Sequence, residues 1–325
     1  MAELRILVIR LSSMGDVIHT LPAVASLKHS FPRSHLTWLV RPRWAPLLAG
    51  NPDVDEVIPV ERSVGASWAI ARRLRARHFD LAVDFQGLIQ TALLAAAIRP
   101  NKLVGFDRTR VRERLAAWFY SSEVTTQAAH VVDRNLELAA GAELAAGAGA
   151  ANPLRAFPLP PGEPEGTLPE GRFLLASPFA GWGSKQWPLK YWSELAGMLD
   201  LPLVLNGPPG SEAELRQVRG AHVHVSGIAG LIDATRRAHA VIGVDSGPLH
   251  LAAALGKPGV AIFGPTDPAR NSPYGGTIRV LRSPDAPTDY RRRSEPAASM
   301  LAISPARVAQ TLSSVLETSS TGCTA

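Results

Sequence analysis

"RILVIRLSSMGDVIHTLPAV", residues 5–24, runs from an apolar stretch through a turn of small residues into a helix-forming segment. A strand that ends in such a turn and feeds a helix is the repeating unit of open α/β sheets, which bind ligands outside the carboxyl ends of their strands. The turn carries Gly15, Asp16 and, four residues after Gly15, His19. Asp16 suits a general base facing a cleft, with Gly15 letting a substrate approach the backbone. Equally, Ser13 and Asp16 stand at the S-x-x-D spacing of a capping box, where the carboxylate merely satisfies a backbone donor. Thr20-Leu21-Pro22 offers a second helix start, because proline suits a first turn, and a helix beginning there leaves Asp16 in the loop. His19 packs or orients its neighbours in either case.

Outward from this unit, short apolar strands alternate with longer helical segments. "LRILVI", "HLTWLV", "EVIPV", "LAVDF" and "KLVGF" read as strands, with helices such as "LPAVASLKHSF" and "SWAIARRLRARH" between them. This is the βαβ rhythm of a mostly parallel sheet. Residues 152–171, "NPLRAFPLPPGEPEGTLPEG", break it with a proline and glycine density that no helix or central strand tolerates. A second α/β series follows, with strands "RFLLASPFA", "LPLVLNG", "AHVHVSG", "AHAVIGVD" and "GVAIFG", helices around 189–199, 211–219, 228–238 and 248–255, and a closing helix "SPARVAQTLSSVLE". The expectation is two Rossmann-like domains, 1–152 and 172–325, joined by a linker at 153–171, with the closing helix returning to pack on the first domain. The alanine-rich "LELAAGAELAAGAGAA" reads as a helix fraying into that linker.

A chain of 325 residues fits two such domains. No apolar stretch approaches the ~20 residues of a spanning helix, and the start lacks the order of a signal peptide, so a cytoplasmic chain is expected. The single cysteine, Cys323, sits in the polar tail "TSSTGCTA" and reads as incidental. A net charge of +6, mostly from arginine, implies an anionic partner such as a phosphorylated sugar or a lipid headgroup. Aromatics are 6% and are not interleaved with the basic runs, which argues against a base-stacking nucleic-acid surface. Gly15 stands alone where a dinucleotide fingerprint needs three glycines, and neither a P-loop nor a close His/Cys cluster occurs, so no NAD, FAD or protein-held metal is expected.

In "AVIGVDSGPLHLAAALGKPGVAIFGPTDPAR", 240–270, a strand runs into Asp245, Ser246 can cap the next helix and Pro248 falls in its first turn. The amides around Ser246 and Gly247 would then meet an anion such as a diphosphate at the positive end of the helix dipole, with His250 adding a donor. An efficient cap with a satisfied histidine explains the same residues. In "AGWGSKQWPLKYW", 180–192, Lys185 suits a phosphate point charge while Trp187 and Pro188 anchor the following helix, although a lone lysine is more commonly just solvated. The stretches 61–78 and 108–120 are arginine-dense and fit an anionic acceptor, anionic lipid or a plain solvated face.

Together "RLSSMGDVIHTLPAV", "VDFQGLIQTALL", "VRERLAAWFY", "SKQWPLKYW" and "GVDSGPLHLAAALGKP" followed by "FGPTDP" resemble, in order and across nearly the whole chain, the ADP-heptose:lipopolysaccharide heptosyltransferases of glycosyltransferase family 9. The resemblance implies a GT-B fold, two Rossmann-like domains facing a central cleft, and an inverting transfer that needs no metal or cofactor. It implies Asp16 as base, with the departing diphosphate held by Lys185 and the amides of Ser246 and Gly247, and with Asp245 and His250 touching the donor. Gly15, His19, Arg62, Gln86, Gly87 and Arg112 fall on the acceptor side. The implied partners are ADP-heptose, a lipid-linked sugar acceptor and an anionic membrane surface at the inner face of the inner membrane. Three positions depart from the pattern: Ala229 stands where some relatives carry an acid similar to a ribose-binding one, with Asp233 the nearest acid; "ERSVGAS" offers only Arg62; and Arg114 replaces a common proline. Rivals are a GT-B transferase of another sugar, a nucleotide-sugar epimerase, or a non-catalytic binding protein on the same scaffold.

Overall fold

The computed structural model describes residues 4–149 and 152–321, so Cys323 lies outside the described residues. The chain divides at Pro160/Pro161 into two compact units. In the first, β1 (Arg5–Ile9), α1 (Met14–Ser30), β2 (His35–Val40), β3 (Glu56–Pro59), α2 (Val64–Arg75), β4 (Leu81–Asp84), α3 (Ile89–Ile98), β5 (Lys102–Phe106), β6 (Ser122–Val124) and α4 (Val131–Ala145) follow in order. Its six strands are all parallel in the order β3-β2-β1-β4-β5-β6. From Ile6 to Ile9, β1 is apolar and buried, as a strand covered on both faces must be. On one face Leu74 of α2, Leu94 and Ile98 of α3 pack over Leu7, Ile9, Leu39 and Ala82. On the other, α1 packs against α4.

The first helix starts at Met14, not near Thr20, and runs through Pro22. An interior proline forfeits a helical hydrogen bond and costs ~3 kcal/mol. Burial outweighs it, since every residue from Met14 to Leu27 except Asp16 is buried. The consequence is that Asp16 sits in the first turn of a rigid helix.

The second unit contains β7 (Leu174–Ser177), α5 (Leu189–Ala196), β8 (Leu203–Gly207), α6 (Glu212–Leu215), β9 (His222–Val225), α7 (Ile228–Arg237), β10 (Ala240–Val244), α8 (Gly247–Ala254), β11 (Gly259–Phe263), α9 (Pro268–Asn271), β12 (Ile278–Arg282), α10 (Ala298–Leu301) and α11 (Pro305–Thr321). Its parallel order, β12-β11-β10-β7-β8-β9, repeats the topology of the first unit without a repeat in sequence. The expected helix at 211–219 is a single turn. The closing helix α11, expected to return to the first domain, packs on its own unit, because Val308 and Leu312 enter a core shared with Trp187, Trp192 and Ile262.

The proline-rich stretch is fastened at both ends. The Leu154 amide donates to Ser26 Oγ at 2.7 Å and Asn51 Nδ2 to the Pro158 carbonyl at 2.9 Å, which ties its first part to the first unit. In the second unit the Glu163 amide donates to the Ala229 carbonyl at 3.1 Å, and the Glu165 carboxylate accepts the amides of Gly227 at 2.6 Å and Gly230 at 3.0 Å. Glu165 thereby caps α7 at its positive end.

Candidate active site

In each unit the strand order reverses between two central strands, β1 and β4 in one and β7 and β10 in the other. Such a switch point opens a crevice at the carboxyl ends, because the connections on its two sides leave in opposite directions. Every strong candidate of the sequence lies on a loop leaving one of these four strands or in the helix turn that follows.

In the first unit, Asp16 unites the two roles that its spacing allowed. Oδ2 accepts the Ser13 amide at 2.9 Å and the Ser13 hydroxyl at 3.0 Å, which is the capping interaction. Oδ1 meets Arg10 Nη2 at 2.6 Å. Arg10 is buried and anchored, its Nη1 donating to the Phe85 carbonyl, whereas the Asp16 side chain keeps 30% of its surface exposed. Burial pushes the Asp16 carboxyl up, but Arg10, the two hydrogen bonds from Ser13 and the charge of Arg112 together hold it below the ordinary value. The carboxylate therefore stays ionised at neutral pH. Replacing the guanidinium by a neutral amide, Arg10→Gln, leaves burial opposed by less positive charge. The Asp16 titration, followed by carboxyl carbon resonances against an Asp16→Asn reference, should move upward. An unmoved titration would show that Arg10 does not set it.

The turn that carries Asp16 is braced from β4. Ile9 and Asp84, the last residues of their strands, are register partners. Asp84 is wholly buried and accepts Tyr120 Oη at 2.9 Å, Thr91 Oγ1 at 2.9 Å and the amides of Gln86 at 2.9 Å and Gly87 at 3.2 Å. Burial nevertheless raises its pKa, these hydrogen bonds opposing the rise. Gln86, expected on the acceptor side, turns inward: its Oε1 accepts the amides of Leu11 at 3.0 Å and Ser12 at 3.2 Å. It holds the loop that leads to Asp16, because those two amides lie beyond the end of β1 and would otherwise go unpaired. Gly87 adopts φ +67, and a Cβ there would stand 3.0 Å from Val111 Cγ2 and 3.3 Å from the Arg112 amide. The glycine thus seats the 111–114 segment, with the Arg112 side chain exposed and its charge reaching Asp16.

Two other residues expected on the acceptor side, His19 and Gly15, are buried. His19 is 4% exposed, with its ring 5.9 Å from that of His130 and its carbonyl accepting Asn135 Nδ2, so α1–α4 packing occupies it. Gly15 is buried in the first turn of α1. Arg62 is exposed beyond β3, and its charge bears on Arg41.

In the second unit, Asp245 follows β10 and is 3% exposed. Its Oδ2 accepts Lys185 Nζ and Thr266 Oγ1, both at 2.7 Å, while Oδ1 accepts Asn271 Nδ2 at 3.1 Å and faces His250 Nε2 at 3.6 Å. The carboxyl is held far below the ordinary range, the penalty of burial being overcome by His250 and Lys185. Asp245 therefore organises the loops after β7, β10 and β11. Lys185, expected on a flexible loop, is fixed by that pair and lies 4.5 Å from the Trp182 ring centre. The turn is tight for a reason visible at Gly183, where a Cβ would stand 1.7 Å from the Ser294 carbonyl oxygen. Arg292 approaches the same Trp182 ring at 5.5 Å. Ser246 is the N-cap of α8, yet its side chain makes no cap bond and its buried Oγ has no hydrogen-bond partner. With the Gly247 amide, it leaves unspent donors at the positive end of α8. Arg10, Asp84, Thr266, Asn271 and Glu165 are the contributors that sequence reasoning did not single out.

A family model described as "Glycosyltransferase family 9 (heptosyltransferase)" matches residues 67–300, more than half of the chain. The chain belongs to glycosyltransferase family 9. "Lipopolysaccharide heptosyltransferase 1" of Pseudomonas aeruginosa is 32% identical over 302 residues, covering 84% of this chain and 82% of that protein. The protein of the same name from Escherichia coli K12 is 31% identical over 86% of this chain and 94% of its own. Among solved structures, "E. coli heptosyltransferase WaaC with ADP" aligns with a TM-score of 0.76 at 26% identity, covering 97% of this chain and 98% of that one. The family 9 chain is accordingly a glycosyltransferase with the GT-B fold. Among the described residues no helix is long and apolar enough to cross a membrane.

Proposed function

We propose that this family 9 enzyme transfers heptose from ADP-heptose to a lipid-linked sugar of the lipopolysaccharide inner core, with inversion and without a metal. The observation that carries the chemistry is the part-exposed Asp16 carboxylate, held by Arg10 and Ser13 at the switch point of the first unit. Its carboxylate takes the proton of an acceptor hydroxyl as the oxygen bonds to the anomeric carbon. The bond from that carbon to the diphosphate oxygen breaks on the opposite face, and ADP leaves with the electron pair. A carboxylate held below its ordinary pKa is a weak base, so the proton moves late, when the hydroxyl has become acidic by bonding to carbon. The charge gathering on the diphosphate falls to Lys185 and to the Ser246 and Gly247 amides, donors fixed before the reaction.

The relatives' names support an acceptor of the first heptosyl step, because those named above as heptosyltransferase 1 are 31 and 32% identical while two relatives called heptosyltransferase 2 are 26 and 27% identical. Lipid A ending in Kdo is the acceptor this favours, with Arg62 and Arg112 exposed to meet its carboxylate. A lipid-linked acceptor puts the enzyme on the inner face of the inner membrane as a cytoplasmic, peripheral protein with an anionic surface as partner.

The test is ADP-heptose with lipid A acceptors that lack Kdo, end in Kdo or end in heptose. Product on the Kdo-terminated acceptor is expected. Product only on the heptose-terminated one would move the enzyme to the following step, and no product on any would return the donor to question.

A further inference from the structure

The first unit exposes tryptophans where a water-facing surface has no use for them. On α2, Val64 is 73% and Trp68 65% exposed; on the 3-10 turn Arg114–Phe119, Leu115 is 48% and Trp118 69% exposed. Between these elements packs α3, whose outward Leu93 is 48% exposed. All three elements cover the same side of the first sheet: Ala71, Leu74, Leu94, Ile98 and Phe119 pack inward on it, so the exposed residues crown their outer faces. Scattered apolar residues need no explanation, but a run of them across three adjacent elements marks an interaction surface.

The basic residues that frame this run identify the occupant. Val64, Trp68, Arg72 and Arg75 follow at i, i+4, i+8 and i+11, which places them along one stripe of α2. Arg73 is exposed on the same helix, and Arg112 and Arg114 precede Leu115 and Trp118. Exposed tryptophan beside arginine is the composition of a surface that settles into the headgroup region of an anionic bilayer, the ring at the polar–apolar boundary and the guanidinium on phosphate. We infer that α2, α3 and the 114–119 turn form the face by which the enzyme rests on an anionic lipid bilayer. The face borders the catalytic edge. α2 follows the carboxyl end of β3, and the Glu113 amide donates to the Gly87 carbonyl at 3.0 Å, tying the turn to the loop that braces Asp16. A sugar standing on its own lipid anchor is thereby brought to the height of Asp16. That use rests on the lipid-linked acceptor proposed above; the docking does not.

Co-sedimentation with vesicles of equimolar phosphatidylglycerol and phosphatidylcholine tests the docking, with vesicles of phosphatidylcholine alone as comparison. Wild type should bind the anionic vesicles and bind less as salt is raised. Trp68→Ser with Trp118→Ser should weaken binding by roughly tenfold or more for each ring withdrawn from the interface. Arg72→Ser, Arg73→Ser and Arg75→Ser together should weaken it by about a hundredfold at low salt. Neither set lines the catalytic machinery, so transfer to a deacylated, water-soluble acceptor should persist in both, with unchanged thermal melting. Tryptophan variants that bind as wild type, or equal binding to uncharged vesicles, would overturn the docking face. So would sedimentation velocity showing that the same tryptophans join two copies of the chain. Loss of transfer to the soluble acceptor by wild type would instead sink the proposed reaction and leave the docking face standing.

Discussion

Asp16→Asn should lower transfer by about a thousandfold, a size expected when a positioned general base is removed without removing its shape. The amide oxygen can still accept the Ser13 amide at the helix start, so α1 keeps its cap. Arg10, buried and paired to Asp16 at 2.6 Å, loses its anion, and the stability of the first unit should fall by ~1–2 kcal/mol. The part-exposed carboxylate keeps this below the cost of opening a fully buried pair. The pH dependence has a defined sign. A carboxyl whose folded pKa lies below its unfolded value near 3.8 stabilises fully above that value and ceases to do so as pH falls through the folded one. Wild type should therefore lose its advantage over Asp16→Asn only below about pH 4. Product formation from ADP-heptose and urea denaturation at neutral pH check the two halves of the expectation. Transfer surviving within tenfold would take the base from Asp16, whatever the stability showed.

What could be read in the sequence followed local rules. Parallel strands buried on both faces leave near-continuous apolar runs, and eight of the ten strands read from the sequence were legible for that reason, the other two being the edge strands β3 and β9. The edge strands β6 and β12 escaped, because "SEV" and "IRVLR" are half exposed and carry no such run. Pro22 suggested a helix start that tertiary burial overrode. Asp16, Lys185 and Asp245 were legible because each follows a strand end where open sheets bind. Their partners were not, since the contacts come from far along the chain: Arg10 is steered by Phe85, Asp245 by Thr266 and Asn271, and Gln86 turns inward because two amides beyond β1 need an acceptor. Glu165 was invisible for a different reason. A proline-rich stretch reads as a spacer, and nothing in its composition reveals that its acid caps α7, beside the position where Ala229 lacks one.

Asp245→Ala should be the most damaging substitution in the second unit. It empties the acceptor of Thr266 and Asn271 and strands Lys185, whose side chain is only 16% exposed, so unfolding should become easier by about 3–5 kcal/mol. ADP affinity should fall at least about tenfold, because the ammonium is no longer held at the switch point beside the amides of α8. Lys185→Ala should lower ADP affinity by a similar amount with a smaller stability loss, since Asp245 retains its hydroxyl and amide donors. Titration calorimetry with ADP and chemical denaturation separate the two quantities. ADP affinity lost in Asp245→Ala without any loss of stability would mean that the carboxylate meets the nucleotide directly. The Arg10–Asp16 and Lys185–Asp245 pairs then have a common logic. In the first unit the cation is the buried partner, 8% against 30%, and presents an anion; in the second the anion is buried, 3% against 16%, and presents a cation. Proton removal needs a presented carboxylate and a departing diphosphate needs a presented ammonium. On the proposed reaction, one topology, used twice with the buried partner exchanged, answers both needs.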